Sequence, residues 1–255
     1  MAIVSGASSG IGRATARELG IRGAAVVLTA RNGRALQEVA SEITRAGGSA
    51  TVIVADMTVP EQVRELVRSA VATLGRIDIV VANAGLYVRG PAATLTTAEY
   101  ERSMRINFFG SLELIYAALP HMLGRGRGHI VAVTSVDGKK GLPLDAPYAA
   151  AKGALTMTLD VLRQELRPTG VGVSTVLPGR VDTPMIRDIT VPWISPKISP
   201  ARVARAIVRA IERNRAEVIV PWLGPKFLLV AAALAAPAGD FFVRMFHLEG
   251  ESGSS

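Results

Sequence analysis

Ala2-Ile3-Val4-Ser5-Gly6-Ala7-Ser8-Ser9-Gly10-Ile11-Gly12 is a short apolar strand running into a glycine-rich turn, and the residues from about Arg13 to Gly20 behind it read as a helix. Strand, turn and helix in that order constrain the fold more than any other stretch of the chain. A tight turn needs residues without a β-carbon, and only there can a phosphate come close to the main chain. The helix start behind the turn offers unpaired N–H groups and a partial positive charge. The glycines are spaced Gly6-x-x-x-Gly10-x-Gly12, unlike the commoner G-x-G-x-x-G dinucleotide fingerprint. A plain turn with a glycine-rich helix start is the alternative reading.

Outward from this unit the pattern repeats. Ala24 to Thr29 is apolar throughout, as expected of a parallel strand covered on both faces. It ends at Thr29-Ala30-Arg31-Asn32, and no acidic residue follows before Glu38. A free ribose 2′-hydroxyl is usually met at this point by a carboxylate, and a 2′-phosphate by a cation. Arg31 therefore predicts NADP(H) over NAD(H). Arg34 to Ala46 reads as a helix closed by Gly47-Gly48, and Ala50 to Ala55 as a third strand ending at Asp56. A helix from about Pro60 to Leu74 is stopped by Gly75, and a fourth strand, Ile77 to Val81, runs into Asn83-Ala84-Gly85. Strands and helices alternating at this spacing call for a doubly wound α/β fold, a parallel sheet with helices on both faces. Gly6, Arg31, Asp56 and Asn83 all follow strand ends, so they converge on the one edge where such sheets bind ligands.

Thr96 to Leu119 is a long helical stretch with Asn107 among apolar residues and Gly110 inside it. An asparagine so placed is either tied to backbone or functional, and the two readings weigh equally. Gly128 to Ser135 reads as the fifth strand, with Ser135 at its carboxyl end. The run Ala146 to Leu166 is rich in helix formers and holds Tyr148-Ala-Ala-Ala-Lys152. Residues four apart share a helix face, so a phenol stands one turn from an ammonium. That charge favours the phenolate and is expected to lower the tyrosine pKa. Val171 to Leu177 is a sixth strand, followed by Pro178-Gly179-Arg180-Val181-Asp182-Thr183, and Val218 to Val220 is the last strand.

The 255 residues are 49% hydrophobic and 20% charged, which suits a single α/β domain with a large core. There is no cysteine, and the three histidines, His121, His129 and His247, are spread along the chain. Disulfides, thiol nucleophiles and a histidine- or thiolate-based metal site are thereby excluded or disfavoured, and no metal is predicted. The formal charge is +8, a balance that suits a nucleotide cofactor, an anionic membrane surface or nucleic acid. Aromatics make up only 5% and do not alternate with basic residues, so no nucleic-acid stacking platform is expected.

Taken together, Gly6-x-x-x-Gly10-x-Gly12, Asp56, Asn83-Ala84-Gly85, Asn107, Ser135, Tyr148-x-x-x-Lys152 and Pro178-Gly179 with Thr183 resemble the short-chain dehydrogenase/reductase family over roughly residues 1 to 220. The resemblance implies a Rossmann-type domain with roles for each motif. Tyr148 is the general acid in carbonyl reduction and the base in alcohol oxidation. Lys152 lowers its pKa and holds the nicotinamide ribose, Ser135 holds the substrate oxygen, and Asn107 supports a water linking Lys152 to solvent. Gly6, Ser8, Ser9, Gly10, Ile11 and Gly12 carry the pyrophosphate, while Asp56 takes the adenine edge. Asn83, Ala84 and Gly85 take the adenosine side, and Val181 and Thr183 the nicotinamide amide, with Met57, Pro178 and Gly179 also expected to bind the cofactor. Two departures stand out: Ser5 replaces the usual threonine but keeps the hydroxyl, and Ser9 stands where NADP-dependent members often carry a second basic residue.

The expected layout is one domain over residues 1–221 with a substrate lid at about 184–200. An apolar helical extension follows at 222–249, then a disordered end at 250–255. Met185, Ile186, Ile189, Val191, Trp193 and Ile194 in the lid suggest an apolar substrate. The extension either packs over the pocket or a partner subunit, or lies in a membrane interface with arginines toward anionic lipid; protein packing is favoured. Its longest apolar run, Phe227 to Ala236, is too short to cross a bilayer core of ~30 Å. The opening residues show no signal-peptide pattern, so a cytosolic location is expected, with a homodimer or homotetramer implied by the resemblance. The functional expectation is an NADP(H)-dependent oxidoreductase interconverting a carbonyl and an alcohol. A non-catalytic cofactor-binding sensor and a non-redox member of the same family are the alternatives.

Overall fold

The computed structural model describes residues 1–221, 229, 236–248 and 251–252. Seven strands, β1 (Ala2–Ser5), β2 (Ala25–Thr29), β3 (Ser49–Val52), β4 (Ile79–Ala82), β5 (Gly128–Val133), β6 (Val171–Pro178) and β8 (Glu217–Val220), form one parallel sheet in the order β3-β2-β1-β4-β5-β6-β8. A two-residue antiparallel pair, β7 (Ile189–Thr190) with β9 (Glu251–Ser252), stands apart. The helices are α1 (Gly10–Ile21), α2 (Gly33–Arg45), α3 (Pro60–Leu74), α4 (Thr97–Met104), α5 (Gly110–Leu123), α6 (Ala146–Leu166), α7 (Pro200–Glu212) and α8 (Ala236–Met245).

Alternate residues of a strand face opposite sides of the sheet, and here both sides are apolar. Ala2, Val4, Val26, Leu28, Val81, Val131 and Val133 pack with residues of α1, α2 and α7. Ile3, Val27, Val80, Ala82, Ile130 and Ala132 pack with α3, α5 and α6. That is why the strands read as unbroken apolar runs rather than alternating ones. The chain winds outward from β1 through β2 to β3, then returns to place β4 on the other side of β1. The carboxyl ends of β1 and β4 therefore flank the point where the winding reverses, and a crevice opens there.

Some boundaries differ from the sequence reading. β3 stops at Val52 rather than Ala55, although the Ile53 and Ala55 N–H groups still donate to Leu28 and Ala30 carbonyls at 3.1 and 3.3 Å. β5 stops at Val133, leaving Ser135 two residues beyond it. The single helix expected over Thr96 to Leu119 is two helices joined by a wider π turn, Arg105–Phe109, with Asn107 buried inside it. Residues 222–228, 230–235 and 249 of the apolar extension lie outside the described residues; of the rest, Ala236–Met245 forms a helix. Of the end expected to be disordered, Glu251–Ser252 are paired with Ile189–Thr190, and 250 and 253–255 lie outside the described residues. Among the described residues, no helix is long and apolar enough to cross a membrane, and no cluster of His, Cys, Asp and Glu is arranged to hold a metal.

Candidate active site

The glycine-rich turn is shaped by steric need. Gly6 and Gly10 have φ of +64° and +54°, a region that disfavours other residues. A β-carbon on Gly12 would lie 2.2 Å from the Gly6 carbonyl oxygen. Gly12 therefore packs against the Gly6 main chain and lets α1 start close under the turn, and it is not among the residues lining the cavity. The Ser5 hydroxyl ties the turn to the neighbouring strand, accepting from the Asn83 and Ala84 N–H groups at 2.9 and 3.0 Å. The Asn83 side chain donates back to the Ser5 carbonyl at 2.9 Å. Serine thus performs the bridging that the hydroxyl of a threonine would.

Beyond the sheet edge lies a cavity of about 800 Å³, lined by Gly6, Ser8, Ser9, Gly10, Ile11, Arg31, Asp56, Met57, Asn83, Ala84, Gly85, Asn107, Ser135, Tyr148, Lys152, Pro178, Gly179, Val181 and Thr183. Every site residue expected from the sequence except Gly12 meets there. At the far end of the sheet Asp56 Oδ1 accepts from the Thr58 N–H and hydroxyl, both at 2.8 Å. Burial raises the Asp56 pKa, but the Thr58 bonds and the charge of Arg31 outweigh it and hold the carboxyl below its ordinary value. Arg31 and Asp56 are thus a cation and an anion on the same wall.

At the other end Ser135 caps a short 3-10 turn, Val136–Gly138. Its Oγ donates to Asp137 Oδ2 at 3.1 Å and accepts from the Asp137 N–H at 3.2 Å, and the hydroxyl faces the Tyr148 phenol. Tyr148 and Lys152 come from the first turns of α6. Lys152 is buried, donates from Nζ to the Val133 carbonyl at 2.9 Å, and lies 5.7 Å from the Tyr148 ring centre. Burial brings the Lys152 pKa down to about 8. The Tyr148 phenol is raised above its ordinary value, by burial first and then by the Asp137 carboxylate, with the Ser135 hydroxyl opposing. This corrects the expectation of a lowered tyrosine: the ammonium points at a carbonyl, and the charges that shift the phenol, those of Asp137 and Asp145, are negative.

Asn107 uses its whole side chain on the frame. Nδ2 donates to the Leu86 carbonyl at 2.8 Å and to Ser103 Oγ at 3.1 Å, while Oδ1 accepts from the Leu86 N–H at 3.1 Å. Gly85 is glycine because a β-carbon there would lie 2.8 Å from Asn107 Oδ1.

The structure adds a group that the sequence did not single out: Tyr87, Arg89, Asp137, Asp145 and Arg180, all lining the cavity beside Tyr148. The Tyr87 hydroxyl donates to Asp145 Oδ1 at 2.7 Å, Arg89 lies 3.8 Å from the same oxygen, and the Tyr87 and Tyr148 rings meet edge to face at 4.9 Å. On the apolar side Met185, Ile186, Ile189 and Ile194 line the cavity, whereas the lid residues Val191 and Trp193 do not, and Trp193 is 87% exposed. Phe242 and Phe246, with Leu248, close the same side. The Arg180 guanidinium donates to the Leu248 carbonyl, and Lys140 pairs with Asp240 at 2.5 Å.

A doubly wound sheet with a glycine cradle at its reversal point, and a serine, a tyrosine and a lysine at the mouth, defines a Rossmann-type oxidoreductase. Residues 1–191 match the short chain dehydrogenase family, and the chain belongs to it. A ketoacyl reductase, HetN, from Nostoc sp. is 37% identical over 221 residues, covering 86% of this chain and 77% of that protein. An actinorhodin polyketide ketoreductase variant solved with NADPH superposes with a TM-score of 0.81 at 30% identity, covering 86% of this chain and 94% of that one. A 7α-hydroxysteroid dehydrogenase solved with NADH and 7-oxo glycochenodeoxycholic acid gives 0.81 at 26% identity, covering 86% and 91%.

Proposed function

We propose that the protein is an NADP(H)-dependent oxidoreductase that interconverts a carbonyl and an alcohol on an apolar substrate. The observation that carries this is the meeting of Ser135, Tyr148 and Lys152 on the wall of the same cavity whose opposite end is the glycine cradle. The cradle suits a dinucleotide pyrophosphate, since the positions closest to it tolerate no β-carbon. A bound reduced nicotinamide supplies the hydride; the protein must supply one proton and hold the developing charge on oxygen. Tyr148 gives its proton to the carbonyl oxygen. The raised phenol pKa keeps it protonated at neutral pH, which fits the reducing direction. Lys152, buried behind the phenol, is positioned to stabilise the phenolate that proton transfer leaves. Met185, Ile186, Ile189 and Ile194, with Phe242 and Phe246, support an apolar substrate.

Arg31 supports NADP(H), as do the cofactors named for the actinorhodin enzyme and for an alcohol dehydrogenase from Thermococcus sibiricus complexed with 5-hydroxy-NADP, 27% identical with a TM-score of 0.78 and covering 86% and 94% of the two chains. Replacing Arg31 with Asp is expected to move the ratio of kcat/KM for NADPH over NADH downward by at least about 100-fold; an unchanged ratio would remove Arg31 from the cofactor site. Tyr148→Phe is expected to cut turnover by about 1,000-fold or more while NADPH still binds, measured by its fluorescence. Substantial residual turnover would refute the role given to Tyr148. Exposed Phe109 and Tyr116 on the π turn and α5, and Met157 and Val161 on α6, favour a second copy of the chain as partner, which light scattering on the purified protein decides. The reading keeps the enzyme in the cytosol.

A further inference from the structure

Ser135 has one proton and two lone pairs. One lone pair is taken by the Asp137 N–H, and the proton is directed at Asp137 Oδ2. While Asp137 is a carboxylate it can only accept, so the hydroxyl proton stays within the protein. As a carboxylic acid it can donate to Ser135 Oγ, and the serine proton is then free to turn into the cavity. We propose that Asp137 is a positioning residue whose protonation decides whether Ser135 offers its hydroxyl proton to the substrate oxygen. The proposal rests on the carbonyl-reducing role assigned above.

The surroundings of Asp137 suit such a device. Asp145 from the start of α6 faces it as a second acid, but its Oδ1 is already engaged by the Tyr87 hydroxyl. Arg180 from the loop after β6 and Arg89 from the loop after β4 oppose its protonation, and Tyr148 is the phenol it faces. The lysines beside it in sequence are turned elsewhere, Lys139 to Glu217 and Lys140 to Asp240. Burial, then Asp145, push the Asp137 carboxyl up to about 7. In reduction a C–H bond forms with the hydride of the reduced nicotinamide, which is oxidised, and an O–H bond forms with the Tyr148 proton; Ser135 contributes a hydrogen bond only. Protonated Asp137 therefore favours reduction twice, by freeing the serine proton and by removing a negative charge that opposes the phenolate. The sign follows: reduction is fast below the Asp137 pKa and falls as pH rises through it.

The test measures kcat/KM for ketone reduction between about pH 5.5 and about 9 in wild type, Asp137→Asn and Asp137→Ala. NADPH binding by fluorescence checks that each variant is folded. A fall of about 10- to 100-fold centred near neutrality is expected in wild type, with no such break in Asp137→Asn and a lower plateau in Asp137→Ala. Independently of turnover, carboxyl-carbon NMR of the apoprotein labelled at aspartate should show a group titrating near 7 that is absent in Asp137→Asn. Its pKa should rise in Ser135→Ala, since the serine bond favours the carboxylate. A break retained in Asp137→Asn, or an Asp137 titration unmoved by Ser135→Ala, overturns the proposal while leaving the assigned reaction standing. Failure of wild type to reduce any ketone, with the NMR titration present and sensitive to Ser135→Ala, overturns the assigned reaction and leaves the Asp137–Ser135 contact intact.

Discussion

Replacing Asn107 with Ala tests what that side chain does. Its carboxamide makes three hydrogen bonds, two of them to the main chain of Leu86 and one to Ser103, from a position with no solvent exposure. Removal strands the Leu86 N–H and carbonyl and leaves a small void. Each stranded group costs about 1–3 kcal/mol, so the substitution is expected to destabilise the fold by about 2–6 kcal/mol. For a chain of this size each kcal/mol lowers Tm by about 2–4 °C, which predicts a fall of roughly 4–24 °C in scanning calorimetry. Tyr148→Phe provides the contrast, because it removes chemistry and leaves the frame. If Asn107 acts through the frame, loss of activity in Asn107→Ala should track the fraction unfolded and recover in the cold. A Tm unchanged within about 1 °C, together with a 100-fold loss of turnover at every temperature, would refute this reasoning and assign the side chain to proton transfer instead.

Gly12→Ala should abolish cofactor binding, measured by nucleotide fluorescence quenching, because the new methyl would lie 2.2 Å from the Gly6 carbonyl oxygen and must push the turn into the cavity; unchanged affinity would mean the turn yields without cost. His129 is buried, hydrogen-bonded through Nε2 to Ser174 Oγ at 2.8 Å, and burial lowers its pKa to about 4. The unfolded chain takes up that proton below about 6.5 and the folded chain does not. Stability is therefore fully present above about 6.5 and is lost as pH falls toward 4, by up to about 3 kcal/mol. Urea unfolding of wild type and His129→Gln at several pH values checks this, and equal acid sensitivity in both would remove His129 as the cause.

The fold was legible because its signals are local and repeated. Apolar strands, glycine stops such as Gly75 and the proline at the start of α3 each act within a few residues. The cofactor side of the site was legible for a similar reason, since Gly6, Arg31, Asp56 and Asn83 each come within a few residues of a strand end. The charged wall beside Tyr148 was not. Tyr87, Arg89, Asp137, Asp145 and Arg180 lie on three separate connections, after β4, β5 and β6, and share no spacing. Asp145 directly precedes α6, and its carboxylate makes no cap bond but accepts from Tyr87. The direction of the Tyr148 pKa failed because sequence spacing shows Lys152 and cannot show Asp137. Asn107 was an even choice on paper, and only the π turn around it reveals how fully its polar atoms are used.

The wall formed by Phe242, Phe246 and Leu248 comes from the far end of the chain, whereas the glycine cradle comes from its first dozen residues. Under the proposed function, what is transformed is met by the closing segment and what drives the transformation by the opening one, so exchange in the closing segment would retune selectivity without touching the nucleotide cradle.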